Sequence, residues 1–215
     1  MKHGETLSLI EQSGIVAIMR ATGPGPLLAA ADALVAGGVC AVEVTLTTPG
    51  ALEIIRAAVD HFRGQLVAFG AGSVLDAESA RVAIAAGAHF IVCPTLSLNT
   101  IAACKRYSIP VLPGAYTPTE ILTAWEAGAD LVKVFPADIG GPAYLKAVKA
   151  PLPQIKLAAV GGVTLDNVGE FFRAGASAVG VGSSLISQAL LDEGRFDEIE
   201  SRARRFALAV QQARG

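Results

Sequence analysis

Short apolar runs recur along this chain, separated by polar segments with helical character. One motif precedes half of them: Ala-Gly and a small residue, then the run. It stands at Ala36-Gly37-Gly38 before VCAVEV and at Ala86-Gly87-Ala88 before HFIVCP. It returns at Ala127-Gly128-Ala129 before DLVKVFP and at Ala174-Gly175-Ala176 before SAVGVG. A recurrence every 41 to 50 residues matches two strand–helix units. The glycine suits the left-handed position that ends a helix, and the apolar run suits a strand buried on both faces. Four further runs, Ile15–Met19, Leu66–Phe69, Ile109–Leu112 and Leu157–Val160, bring the expected strands to eight.

The intervening segments carry helix-start signals. Thr117-Pro118-Thr119-Glu120 is a capping box with proline at the first helical position. Asp76, Ser97 and Thr164 are expected to cap other helices. Eightfold strand–helix alternation predicts an α/β fold, a single small (β/α)8 TIM barrel domain over residues 1–215. An open doubly wound sheet is the structural alternative.

Composition then removes whole classes of function. The 215 residues are 52% hydrophobic and only 17% charged, with a net charge of −2, which excludes intrinsic disorder. No Lys/Arg run is present to neutralise phosphates, so no nucleic-acid partner is expected. The charge-free stretch Ala174–Leu191 is too rich in serine and glycine for a membrane span, and MKHGETLSLIEQ lacks a signal core. The expectation is a cytoplasmic protein without a membrane partner. Cys40, Cys93 and Cys104 form no CxxC, and only three histidines accompany them. Buried, reduced thiols and no metal site are expected.

Against so apolar a background, three charges stand out at strand positions. They are Arg20 ending GIVAIMR, Glu43 within AVEVTL and Lys133 within LVKVFP. Lysine is almost never fully buried without a reason, and burial disfavours the ammonium form, which favours a nucleophilic amine. Glu43, on a neighbouring strand, is a candidate general base. The alternative for both is a structural ion pair, or for Lys133 an amine that reaches out of the barrel mouth. Lys156 and His89 start their strands and read as structural.

Glycine-rich strand ends supply candidate anion sites. Gly161-Gly162 and Gly182-Ser183-Ser184 follow strands seven and eight, where barrels commonly bind phosphate on backbone N–H groups. Gly70-Ala71-Gly72-Ser73 reads as a loop after strand three that could serve a carboxylate or be only a tight turn.

Together these segments resemble the family of 2-keto-3-deoxy-6-phosphogluconate and 2-keto-3-deoxy-6-phosphogalactonate aldolases, from about Gly14 to Ser187. The markers are AIMR (17–20), VEVTL (42–46), GAGSVL (70–75), VLPGA (111–115), VKVFPA (132–137), AVGGVT (159–164) and GVGSSL (180–185). The resemblance implies a class I aldolase, usually a homotrimer, that needs no metal or other cofactor and acts on a small phosphorylated keto acid. By it, Lys133 is the Schiff-base lysine, Phe135 the aromatic beside it, Glu43 the general acid/base and Arg20 the strand-one arginine. Gly161, Gly162, Ser183 and Ser184 match the phosphate loop, and Ser73 stands where many members have threonine.

Two departures bear on the substrate. Thr47 occupies the place of an arginine typical of the phosphogluconate type, and Val160 the place of a threonine before the Gly-Gly pair. The AVGGVT run and FPADIGGPAYLKAVKAPLP lean toward the phosphogalactonate branch. With threonine at position 47, the substrate carboxylate is left to Arg20 or the backbone of residues 70–73. Competing readings are a phosphosugar epimerase or isomerase without an imine, and a non-enzymatic phosphosugar-binding protein.

Overall fold

The computed structural model describes residues 1–22 and 26–215. Helix α1 (His3–Ser13) precedes β1 (Ile15–Met19), α2 (Leu27–Ala36), β2 (Ala41–Thr45), α3 (Ala51–His61), β3 (Ala68–Gly72) and α4 (Ala77–Ala85). Then come β4 (Phe90–Val92), α5 (Leu98–Arg106), β5 (Val111–Leu112), β6 (Gly114–Ala115), α6 (Pro118–Glu126), β7 (Val132–Val134) and α7 (Gly141–Lys149). The chain closes with β8 (Leu157–Val160), α8 (Val168–Arg173), β9 (Ala178–Val181), α9 (Gln188–Asp192) and α10 (Phe196–Arg214).

Every pairing is parallel, in the order β5-β4-β3-β2-β1-β9-β8-β7-β6. β5 and β6 are one barrel strand cut at Pro113, which has no N–H to give a ladder. β5 pairs with β4 and β6 with β7, while the Pro113 carbonyl accepts from the Lys133 N–H at 2.9 Å. The eight expected strands are present, the fifth in two pieces. The sheet comes round on itself as a TIM-type barrel, and the open-sheet alternative falls.

Strand alternation divides the apolar residues into two cores. Ile15, Ala17, Val42, Val44, Ile91, Val132, Val134 and Val179 point outward and pack against the helices. Val16, Ala41, Ala68, Phe90, Leu131, Ala158 and Ala178 point inward, where Ile10 of α1 plugs the N-terminal end of the barrel. Charges at that end are engaged. Lys156 Nζ lies 2.6 Å from Glu11 Oε1, and His89 Nδ1 accepts the Phe69 N–H at 3.1 Å. Burial pushes the His89 pKa down to about 4, so the ring is neutral at pH 7.

Three caps follow expectation: Asp76 accepts from Ser79 N–H, Ser97 from Thr100 N–H, and Thr117 and Glu120 close a capping box. Thr164 does not cap α8. Asn167 Oδ1 takes the Thr164 N–H at 2.8 Å and closes a turn there, which delays the helix to Val168. Cys93 and Cys104 are buried free thiols, but Cys40 is only partly buried. Among the described residues no helix is long and apolar enough to cross a membrane.

Candidate active site

The alternation that buries Val42, Val44, Val132 and Val134 against the helices turns Glu43 and Lys133 into the barrel. Glu43 is 3% exposed and Lys133 6%. Their strands are not neighbours. With β5 and β6 counted as one, β2 and β7 lie four strands apart in a ring of eight, on opposite walls. The two side chains therefore point toward each other across the bore. Gly70 and Ile18 are level with Glu43, and Gly114 and Ala158 are level with Lys133, so three of these four flanking positions carry little or no side chain.

Burial raises the pKa of the Glu43 carboxyl, an effect opposed first by the charge of Lys133 and then by Arg20. None of the ion pairs among the described residues includes Glu43, Lys133 or Arg20. The structural ion pair considered from the sequence thus has no contact to stand on. Lys133 Nζ instead sits 4.9 Å from the centroid of the Phe135 ring, at the mouth. Cys93, close enough to feel both charges, is no rival nucleophile: its thiol pKa is pushed up to about 12 by burial.

The segment Gly70–Gly72 is strand, not loop; only Ser73 lies beyond β3. The reason is packing. A Cβ at Gly72 would overlap Oε1 of Glu43, and one at Gly70 would overlap the Phe90 ring. These glycines make room for the carboxylate and the barrel floor, and their backbone belongs to the sheet. Gly72→Ala should displace Glu43, lowering kcat by about 10- to 100-fold with the fold retained. Steady-state rates and circular dichroism on the purified variant check this, and wild-type turnover would refute it.

Above this layer a cavity of about 380 Å³ brings together Arg20, Phe135, Val160, Gly161, Gly162, Ser183 and Ser184. Gly161 and Gly162 have φ of +106° and +66°, backbone that side chains rarely adopt, and the pair turns sharply after β8. The N–H groups of Gly161, Gly162, Ser183 and Ser184 donate to no backbone acceptor among the described residues. Four unspent backbone donors and a guanidinium among the residues lining one cavity suit an anion. A larger cavity of about 530 Å³ lies outside the barrel between α3 and α4 and holds none of the expected residues.

Thr47 and Ser73 stand apart from that cavity. Thr47 is exposed, and its hydroxyl lies 3.0 Å from that of Thr45, which is fully buried two positions beyond Glu43 on the same strand face. Thr45 was not singled out from the sequence, although its period-two spacing from Glu43 is a legible signal. Thr48, whose Oγ1 accepts the Ala21 N–H at 3.2 Å, and Gln188, in the cavity wall, carry no such signal. Among the described residues no cluster of three His, Cys, Asp or Glu side chains could hold a metal ion.

Known proteins resemble this chain along most of its length. The family model described as KDPG and KHG aldolase matches residues 7–202. The chain is 40% identical over 172 residues to the 2-dehydro-3-deoxy-6-phosphogalactonate aldolase of Escherichia coli (strain K12), covering 80% of this chain and 83% of that one. It is 33% identical over 201 residues to the 2-dehydro-3-deoxy-phosphogluconate aldolase of Pseudomonas aeruginosa, covering 92% and 89%. A crystal structure of KDPG aldolase from Legionella pneumophila, with pyruvate captured as a covalent carbinolamine intermediate, superposes with a TM-score of 0.84 at 27% identity, covering 93% and 96%. The match of that family model over most of the chain, the identity to these relatives and the shared barrel place the chain in the KDPG and KHG aldolase family.

Proposed function

We propose that this protein is a class I aldolase that cleaves a 2-keto-3-deoxy-6-phospho sugar acid to pyruvate and D-glyceraldehyde 3-phosphate. The observation that carries the reading is Lys133: a buried, inward amine with no carboxylate partner, under an aromatic ring and across the bore from Glu43.

In this reading the Lys133 amine attacks the C2 ketone and water leaves, giving an iminium. Glu43, through a bound water, takes the C4 hydroxyl proton as the C3–C4 bond breaks. The C3–C4 pair becomes the C2=C3 double bond as the iminium π pair moves onto nitrogen, leaving an enamine and releasing the aldehyde. Protonation at C3 and hydrolysis then free pyruvate and the amine. Gly161, Gly162, Ser183 and Ser184 hold the phosphate on their free N–H groups and hydroxyls, far from the reacting carbons, so that binding energy orients the substrate. Arg20 holds the carboxylate, since Thr47 is not basic, Gly70–Gly72 are committed to the sheet, and Ser73 stands apart from the cavity that Arg20 lines.

The galactonate epimer is the preferred substrate in this proposal. Val160 offers no hydroxyl beside the glycine pair, and the phosphogalactonate relative shares more identity than the phosphogluconate one. A coupled pyruvate-release assay on both epimeric phosphates tests this. A higher kcat/KM on the galactonate epimer is expected. The reverse order overturns the substrate preference, and pyruvate from neither overturns the aldolase.

A further inference from the structure

The chain just after Arg20 is held from two sides. Ala21 donates its N–H to Thr48 Oγ1 at 3.2 Å, and Thr22 donates its own to Gln188 Oε1 at 3.0 Å, across 166 positions of sequence. Gln188 is itself oriented, because its Nε2 donates to Asp192 Oδ1 at 2.7 Å one turn along α9. With the amide nitrogen occupied there, its oxygen is left to face the Thr22 N–H. Gln188 lines the same cavity as Arg20, Ser183 and Ser184. It also lines a smaller one of about 150 Å³ with Ala21, Thr22 and Asp192. It ties the end of strand one to the segment that follows the Ser183–Ser184 turn.

Arg20 is exposed and belongs to no ion pair among the described residues, so nothing polar at its tip fixes it. A long cation of this kind must be immobilised when an anion binds, at an entropic cost that a fixed backbone reduces. We propose that Gln188 is a positioning residue that holds the Ala21–Thr22 segment so that Arg20 stays over the anion-binding cavity. The proposal rests on the substrate-binding role given to Arg20 above. Gln188 acts on the substrate only through Arg20, so its loss registers in KM rather than in the chemical step.

A double-mutant cycle tests this with 2-keto-3-deoxy-6-phosphogalactonate as substrate, comparing wild type, Arg20→Ala, Gln188→Leu and the double variant. Gln188→Leu is expected to raise KM on the order of tenfold, with kcat and Tm near wild type. In the Arg20→Ala background it should add nothing, because the residue it serves is gone. A normal KM for Gln188→Leu or additive effects in the double variant would each overturn the proposal. If Arg20→Ala itself leaves KM unchanged, the role given to Arg20 fails first and the proposal falls with it.

Discussion

Lys133→Ala is expected to lower kcat/KM by on the order of 10⁴-fold or more, because it removes the nucleophile and with it the covalent route. Sodium borohydride added with pyruvate should attach a stable mass to Lys133 in the wild type and none in the variant, read by intact-protein and peptide mass spectrometry. Lys133→Arg separates nucleophile from charge. It keeps a cation opposite Glu43 but has no amine that forms an imine, so it should be as inactive as Lys133→Ala. Stability should part the two variants. Alanine leaves the Glu43 carboxyl without its main opposing charge, which drives that buried group further toward its protonated form. Appreciable turnover in Lys133→Arg, or a wild-type adduct on another residue, would remove Lys133 as the Schiff-base nucleophile.

The second large effect is expected for Glu43→Gln, a near-isosteric change that keeps the packing against Gly72 and removes the proton acceptor. A loss in kcat of about 10²- to 10⁴-fold is expected, the usual worth of a positioned acid/base group. Pyruvate with borohydride should still label Lys133, since the amine is untouched. The pH dependence supplies an independent reading. Glu43 must be ionised to take the C4 hydroxyl proton, and burial raises its pKa. The acid limb of the wild-type profile should therefore lie above the ordinary carboxylate range and disappear in the variant. Stability runs the other way. The folded state binds the Glu43 proton more tightly than the unfolded chain does, so this contribution is full at low pH and is lost as pH rises through the raised pKa. Glu43→Gln should gain Tm relative to wild type as pH increases toward neutrality. A constant Tm difference across pH, together with an unshifted activity profile, would remove Glu43 from the proposed role.

Much of this arrangement was legible in the chain, for identifiable reasons. Glu43 and Lys133 interrupt runs of Val and Leu, and a charge inside a buried strand is conspicuous without any knowledge of the fold. Phe135 and the glycine pair at 161–162 follow their strands directly, so local order places them at the mouth. Caps at Asp76, Ser97 and Thr117 are local hydrogen bonds spanning three residues, and they appear as read. The misreadings are also local in cause. Gly70–Gly72 looks like a turn because glycine is common in turns, whereas here it is strand backbone cleared for the Glu43 carboxylate and the Phe90 ring. Asn167 outcompetes Thr164 by taking the Thr164 N–H into its own turn.

What the sequence alone determined is the repeat of strands and helices and which charged side chains stand out at strand positions. Those features follow from periodicity and from the cost of burying charge, both properties of short windows of chain. The tertiary structure alone decided that Glu43 and Lys133 face each other from opposite walls and that the fifth strand serves two neighbours across Pro113. It also decided that Gln188 reaches the Thr22 backbone at the end of strand one. These are contacts between segments distant in sequence. They exist because closing eight twisted strands into a ring fixes which residues meet across the bore and around its rim.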